Sequence, residues 1–424
     1  MNELVEAYIG KYFIMYILDE KYNAQFYFED NQLKIRLLDL VDRAIMIKLE
    51  KGFNLVNGII DKKDITIFNL YSCGTTSGMD GKFELSFRFD EFIENHKYTN
   101  KNNRKIKRTL IEFYNINDFT SIPFYDYDEH LNPIFKSKCY SYNFVDKKIS
   151  ILVGNSIING HSLYQNEKTI FIEFEYNKSQ RYMDVMSDIY HFKAFLSILS
   201  KREIGIKKIE VNESNIMFLN CIKFVDKIPN NEWLAHHYNE FVITIEKIDR
   251  NFLKAYVNFN ALFENALPIF DIYLDILKYK TSDLNRFLNY TQILEYISKN
   301  YDEQNARNVW IKNGKPSGKI TLSDRIESIL NQVAYVWNFN SKKVHQLSRK
   351  IADGRNYYNH HTNELKKLSN DELFRIPYFL EDVILAYIYQ YIGVDNTIVK
   401  SSLSHNIYYD KLIWINDILI NKNK

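Results

Sequence analysis

The spacing of apolar residues changes once along this chain, near Pro229-Asn230-Asn231, and that change dictates two halves of different construction. From residue 24 to about 228 the dominant period is two. Phe83, Leu85, Phe87 and Phe89 alternate with Glu84, Ser86 and Arg88, and Ile170, Ile172, Phe174 and Tyr176 alternate with Glu173 and Glu175. A period of two puts one face of a strand on a core and the other in water. Further strands are expected at Gln32 to Leu38, Ile65 to Tyr71, Thr109 to Tyr114, Tyr140 to Phe144, Ile149 to Val153 and Ile216 to Phe224. Turn chemistry punctuates them at Gly74-Thr75-Thr76-Ser77-Gly78, Asp80-Gly81 and Asn159-Gly160. One helix interrupts the set, because Val185, Ile189, Phe192, Leu196 and Leu199 step by four and three. The pattern predicts an antiparallel sandwich or barrel-like domain over residues 1–228 with one helix packed across it.

Beyond Pro229 the period becomes 3.6 and stays there, which predicts an all-α domain over residues 229–424 and an α+β two-domain chain. Helices are expected at Glu232 to Lys280 in pieces broken by Pro268, then Asp283 to Lys299, Thr321 to Trp337, Ser341 to Tyr358, Ser369 to Ile392 and Ile407 to Ile420. Thr321 with Asp324 and Ser369 with Glu372 have the spacing of capping boxes, in which hydroxyl and carboxylate satisfy free amides reciprocally. Gly393 stands where a left-handed cap is wanted, and Pro377 should kink the fifth helix early. Asp302 to Ile320 reads as the longest irregular segment of this half.

Composition narrows the class. An apolar fraction of 46% builds a substantial core, and a net charge of +2 means that nucleic-acid binding requires a local patch. Three scattered cysteines fit a reducing cytoplasm better than a disulfide framework or a Cys-based zinc site. The N-terminal segment carries Glu3, Glu6, Asp19 and Glu20 and does not read as a signal peptide. The apolar stretch Phe379 to Ile392 is broken by Glu381, Asp382 and Gln390 and is too short for a bilayer. No phosphate-binding Gly-rich loop and no HExxH or paired CxxC is present, so neither nucleotide-driven nor metal chemistry is expected. His236-His237 read as helix-surface residues.

The segment with most chemistry is Arg355-Asn356-Tyr357-Tyr358-Asn359-His360. With 14 Arg and 10 His in the chain, roughly one such Arg/His pairing arises by chance, so position must carry the argument. Val344, Leu347, Ile351, Arg355 and Tyr358 share one helix face, which makes the arginine continue an apolar stripe. A guanidinium there needs an acceptor, and an interhelical carboxylate or a phosphate would serve. Gly354 costs about 1 kcal/mol in a helix interior, so it marks either a helix end or a close approach by another backbone. Residues five apart on an ideal helix differ by about 140°, and a helix terminating here would let His360 reach the same phosphate as Arg355. His361 is within range, though a solvated turn histidine is the simpler reading.

The stretch Asp353 to His361 resembles the signature of the HEPN superfamily, and its RNYYNH form resembles the Apea-like HEPN branch of bacterial anti-phage abortive-infection proteins. Phe287 to Tyr296 is similar to the earlier helix of that branch, and Thr321 to Ile326 to the start of the helix before the motif. Leu55-Val56-Asn57-Gly58 followed by Ile65 to Asn69 resembles the β-rich ApeA-type N-terminal domain, a sensor or regulatory part. The resemblance implies a cytoplasmic, metal-independent endoribonuclease without cofactor, whose HEPN domains pair in a homodimer or higher oligomer around one composite RNA-cleaving cleft, set off by a phage-derived trigger protein. It implies His360 as general acid/base, Arg355 as the stabiliser of phosphorane charge and Asn356 as a hydrogen-bonding holder of the histidine or ribose. Glu295 would orient Arg355, or is a surface acid on an amphipathic helix. HEPN-like bundles also serve as non-catalytic binding or dimerisation modules, which is the rival reading.

Lys312, Lys315, Lys319, Arg325, Lys342, Lys343, Arg349 and Lys350 outnumber Asp324 and Glu327 upstream of the motif. They read as an RNA-guiding rim or as a solvated basic face. Lys342, Lys343, Arg349, Lys350 and His361 are the expected RNA contacts.

Overall fold

The computed structural model describes residues 7–29, 32–77, 80–89, 91–94, 97, 105–114, 116–121, 125–127, 133–135, 137–156, 167–211, 214–218, 242–279, 281–314, 318–360 and 368–404. They form two compact units, Met1–Lys193 with Ile204–His236, and Ala194–Glu203 with His237–Lys424.

The first unit is β-rich. Its opening strands are β1 (Tyr12–Ile17), β2 (Glu20–Glu29), β3 (Gln32–Leu37), β4 (Phe53–Ile60), β5 (Lys63–Ser77), β6 (Phe83–Arg88) and β7 (Glu91–Glu94), with helix α1 (Arg43–Leu49) before β4. Six of them close on themselves: β5 pairs β4, then follow β1, β2, β3 and β6, and β6 returns to β5, every pair antiparallel. Closure removes the free edges that an open sheet exposes. The alternation of two fills the ring: Met15, Ala24, Phe26, Ile35, Ile67, Leu85 and Phe87 are fully or almost fully buried in one cluster. Phe26 stacks on Phe13 at 4.4 Å and on Phe92 at 5.4 Å between ring centres.

β5 carries β7 along the same edge that later pairs β6. From β7 the sheet continues through β15 (Ser214–Phe218), β14 (Gly205–Val211), β8 (Lys105–Tyr114), β13 (Glu167–Arg181) and β12 (Lys147–Ser156) to β11 (Lys138–Asn143). A small hairpin joins β9 (Tyr125–Tyr127) to β10 (Pro133–Phe135). The expected helix is α2 (Tyr182–Ser200), and its Phe192 meets Phe174 edge-on at 5.6 Å, so it packs on the sheet as the sequence predicted.

Five details differ from expectation. A strand, β1, precedes residue 24, and α1 is a second helix among the strands. Gly74 to Ser77 is not a turn: β5 runs through it, with a register shift between Ser72 and Gly74 opposite β6. Asp302 to Ile320 is not irregular throughout, because residues 303–312 are helical, and a helix over residues 396–404 follows Gly393. Asn159-Gly160, Lys315, His236-His237, His361 and the helix expected at Ile407 to Ile420 lie outside the described residues.

The second unit is helical among its described residues: α3 (Ile245–Ile248), α4 (Phe252–Asn265), α5 (Leu267–Lys278), α6 (Asp283–Tyr301), α7 (Glu303–Lys312), α8 (Leu322–Val333), α9 (Ser341–His360), α10 (Asn370–Ile392) and α11 (Asn396–Ser404). Pro268 stands in the first turn of α5, where a missing amide costs nothing. Both capping boxes form, and Gly393 caps α10 at φ 89°. α10 runs through Pro377 and is the buried centre of this unit. The last turns of α2 belong here too: Phe195 packs on Tyr256 and Phe259, and Tyr389 donates to the Ile198 carbonyl at 2.7 Å. No described helix is long and apolar enough to cross a membrane.

Candidate active site on helices α6 and α9

Helix α9 presents the stripe that its sequence dictates. Val344, Leu347 and Ile351 are fully buried, and the Asn340 side chain caps the helix by accepting from the Lys343 amide at 2.9 Å. One turn beyond Ile351 the stripe ends in Arg355, whose side chain is 25% exposed. Its Nη2 donates to Glu295 Oε2 on α6 at 3.3 Å, and its Nη1 to Asn356 Oδ1 at 3.4 Å. Both contacts are long and single, and a guanidinium carries five donors, so donor capacity remains for an anion. Glu295 is shared, since its other oxygen accepts from Lys299 at 2.6 Å.

Gly354 is neither a helix end nor a place where another backbone comes close. A Cβ there would lie 2.8 Å from Leu368 Cγ and 2.9 Å from its Cδ1, so glycine makes room for a side chain inside an unbroken helix. Leu368 is buried, and its carbonyl accepts from the Tyr358 hydroxyl at 3.4 Å. α9 therefore does not fray before the histidine. His360 is its last residue and exposed. Ideal helix geometry then separates Arg355 and His360 by about 140° around the axis and roughly 7.5 Å along it, so the two do not converge on one face of their own helix. Asn356 is engaged with Arg355.

The expected basic rim is divided. Lys342 and Lys343 stand in the first turn of α9, roughly 18 Å along the axis from Arg355. Arg349 is exposed, whereas Lys350 is in contact with the Glu372 carboxylate of the α10 capping box. Arg325 pairs with Glu303 at 2.5 Å.

Sequence reasoning missed a pocket beside Glu295. It has a volume of about 540 Å³ and sets Lys299, Arg307, Lys319 and Arg325 against Glu295 and Glu303, with half-buried Trp310 on its wall. The Arg325 guanidinium holds the Glu303 carboxyl below its ordinary value, against the opposing effect of desolvation. Arg307 and Trp310 lie on α7; Ala306 and Val309 at helical spacing, followed by Asn313-Gly314, were the available signal.

A second charged cluster is structural. Lys201 reaches Asp382 at 2.7 Å and Glu381 at 3.0 Å, all three buried, and Tyr273 donates to Glu381 at 3.2 Å. Burial, reinforced by the Glu381 charge, pushes the Tyr273 and Tyr290 hydroxyls well above their ordinary range. Among the described residues no group of three or more His, Cys, Asp or Glu is placed to hold a metal ion.

Comparison with protein families gives two matches in chain order. ApeA N-terminal domain 1 matches residues 8–259, more than half of the 424-residue chain, and Apea-like HEPN matches residues 270–398. The chain belongs to the ApeA-type HEPN family. No curated protein and no solved structure matches it. The HEPN match contains α6, α9 and α10 whole, and therefore Glu295, Arg355, Asn356 and His360 together. HEPN domains are a family of ribonucleases in defence systems.

Proposed function

We propose that the HEPN unit is a metal-independent endoribonuclease of the cytoplasm that acts in anti-phage defence by abortive infection, with residues 1–228 as its sensing or restraining part and 229–424 as the nuclease. The observation that carries this reading is Arg355 with donors to spare, held by Glu295 within a HEPN match and followed by an exposed His360.

In this reading the ribose 2′-oxygen attacks the adjacent phosphorus while an imidazole takes the 2′-hydroxyl proton. The bond from phosphorus to the 5′-oxygen breaks, and a proton from an imidazolium goes to the leaving oxygen. The products are a 2′,3′-cyclic phosphate and a 5′-hydroxyl. His360 supplies the imidazole, suited by an intrinsic pKa near 6.5, and Arg355 offsets the charge that builds on the phosphorane oxygens. Asn356 and Glu295 position the guanidinium. Because Arg355 and His360 splay apart on one helix, a phosphate gripped by both kinds of group is best served by two copies of α9 facing each other, which motivates a homodimeric or larger assembly. A phage-derived protein acting on the β-rich unit is the proposed trigger.

The experiment is incubation of the purified chain with RNA in EDTA, followed by end-group analysis. Cyclic-phosphate and 5′-hydroxyl ends are expected, and Arg355→Ala or His360→Ala should abolish them with oligomeric state and folding intact. Binding without cleavage assigns the unit to a non-catalytic RNA-binding or dimerisation role, and cleavage that requires added Mg²⁺ overturns the mechanism.

A further inference from the structure

We infer that the pocket between α6, α7 and α8 is a nucleotide subsite that takes the base of an RNA residue on Trp310 and its phosphate on Arg307 and Lys319. This rests on the reading of the unit as an RNA enzyme and adds to it the place where the strand is held beside the reacting phosphate.

Size and lining both select this ligand. A volume of about 540 Å³ lies within the range of small-molecule sites and admits a nucleoside monophosphate. Four cationic side chains face two carboxylates, so the pocket keeps a positive excess. Both carboxylates are already engaged, Glu303 by Arg325 and Glu295 by Lys299 and Arg355, which blunts their repulsion of an anion. Arg307 and Lys319 are exposed and can meet a phosphate without being dug out of the fold. Trp310 supplies a large flat ring to the wall, beside the smaller apolar side chains of Ile320 and Leu322. Bases of every kind stack on such a ring, which lets an enzyme grip single-stranded RNA with little sequence preference.

Position ties the pocket to the motif. Glu295 is part of the pocket lining, and the same carboxylate that accepts from Lys299 with one oxygen accepts from Arg355 with the other. An occupant is therefore one side chain away from the guanidinium, as a nucleotide flanking the cleaved linkage would be. A free nucleotide presents the same chemistry, and the test separates the two sources.

The full-length chain carrying His360→Ala, which blocks cleavage, is titrated into fluorescein-labelled short single-stranded RNA and binding is read by anisotropy. Adding Trp310→Ala should weaken affinity roughly tenfold to a hundredfold, whereas Trp310→Phe, which still stacks, should stay within about threefold. Arg307→Ala and Lys319→Ala should each weaken binding and flatten its salt dependence by nearly one counterion. Adenosine monophosphate should compete with the RNA. Equal affinity of the Trp310→Ala chain and its parent overturns the subsite. Trp310-dependent binding of adenosine monophosphate without RNA binding overturns the RNA assignment and gives the pocket to a free nucleotide. The two readings fail separately: a Trp310-dependent RNA affinity in a chain that never cleaves keeps the subsite and removes the nuclease. His360-dependent cleavage with no role for Trp310 does the reverse.

Discussion

Arg355 on α9 donates to the Glu295 carboxylate on α6 across 3.3 Å, linking residues 60 positions apart. Each side chain is about a quarter exposed, at 25% and 24%, so the pair is worth only about 0.2–1 kcal/mol to the fold. Its value lies in aim. Glu295→Ala should leave the unfolding midpoint nearly unchanged while RNA cleavage falls roughly tenfold to a hundredfold, the loss expected when a catalytic group is misplaced. Glu295→Gln, which keeps an acceptor oxygen, should recover part of the rate. Rates equal to wild type in both variants would show that Glu295 is a surface acid with respect to catalysis.

Gly354 makes room on the motif helix for the Leu368 side chain. Alanine at 354 gains about 1 kcal/mol of helix propensity but drives a Cβ to 2.8 Å from Leu368 Cγ, and overpacking of this kind costs about 1–3 kcal/mol. The clash should win, with Gly354→Ala less stable by about 1 kcal/mol in urea unfolding. Leu368→Ala destabilises alone through the cavity it leaves, yet in combination the two changes should be less than additive because the new methyl fills part of that cavity. Strict additivity would mean that Leu368 moves aside freely.

Much of this architecture was readable from periodicity, and the exceptions share a physical cause. The alternation of Leu85 and Phe87 and the stripe through Val344, Leu347 and Ile351 both faced the core as predicted. β1 was missed because the two-residue turn that joins it to β2 carries no glycine, and the turn from β4 to β5 lacks one as well. Leu18 and Asp19 adopt φ of 52° and 64°, and Asp61 and Lys62 adopt 49° and 68°, positions where Asn-Gly is the usual signal. α7 was overlooked because Asn313-Gly314 was read as part of a long loop rather than as the end of a helix, and with it went Arg307 and Trp310. Gly354 was recognised as odd, but only the packed structure shows that Leu368, fourteen residues on, is the reason. Closure of the β5-β4-β1-β2-β3-β6 ring is likewise a long-range pairing that no local period encodes.

Lys201 places an ammonium between the carboxylates of Glu381 and Asp382, with side-chain exposures of 6%, 10% and 1%. Removing one partner of a buried ion pair leaves the other charge less compensated, and here two carboxylates lose the same ammonium. Lys201→Met should cost about 3–5 kcal/mol in chemical denaturation of the full chain. Adding Glu381→Gln and Asp382→Asn should return part of that loss, since neither carboxylate then needs the missing ammonium, while the buried Arg286 guanidinium, which loses the Glu381 charge, keeps the recovery incomplete. A loss that persists in the triple variant would trace instead to the backbone at Lys201, held at φ 56°.

Lys350 and Glu372 set a pH dependence whose sign is fixed by the carboxylate. Desolvation pushes the Glu372 carboxyl up, but the Lys350 ammonium and the Ser369 amide and hydroxyl outweigh it and hold it below its ordinary 4.5. A carboxyl depressed in the folded state stabilises fully above that ordinary value, and the contribution drains away as pH falls through the folded value. Lys350→Met should therefore be less stable than wild type by about 1 kcal/mol at pH 7, because the contact is partly exposed, and the difference should shrink toward zero as pH drops below 4.5. Urea midpoints of the two chains at pH 7 and in acid measure this directly. The same variant should bind RNA almost as well as wild type, since an ammonium committed to the α10 cap has little left for a phosphate, whereas Arg349→Ala beside it should weaken binding. A stability difference that is the same at both pH values would locate the effect in the packing of the Lys350 stem rather than in its charge.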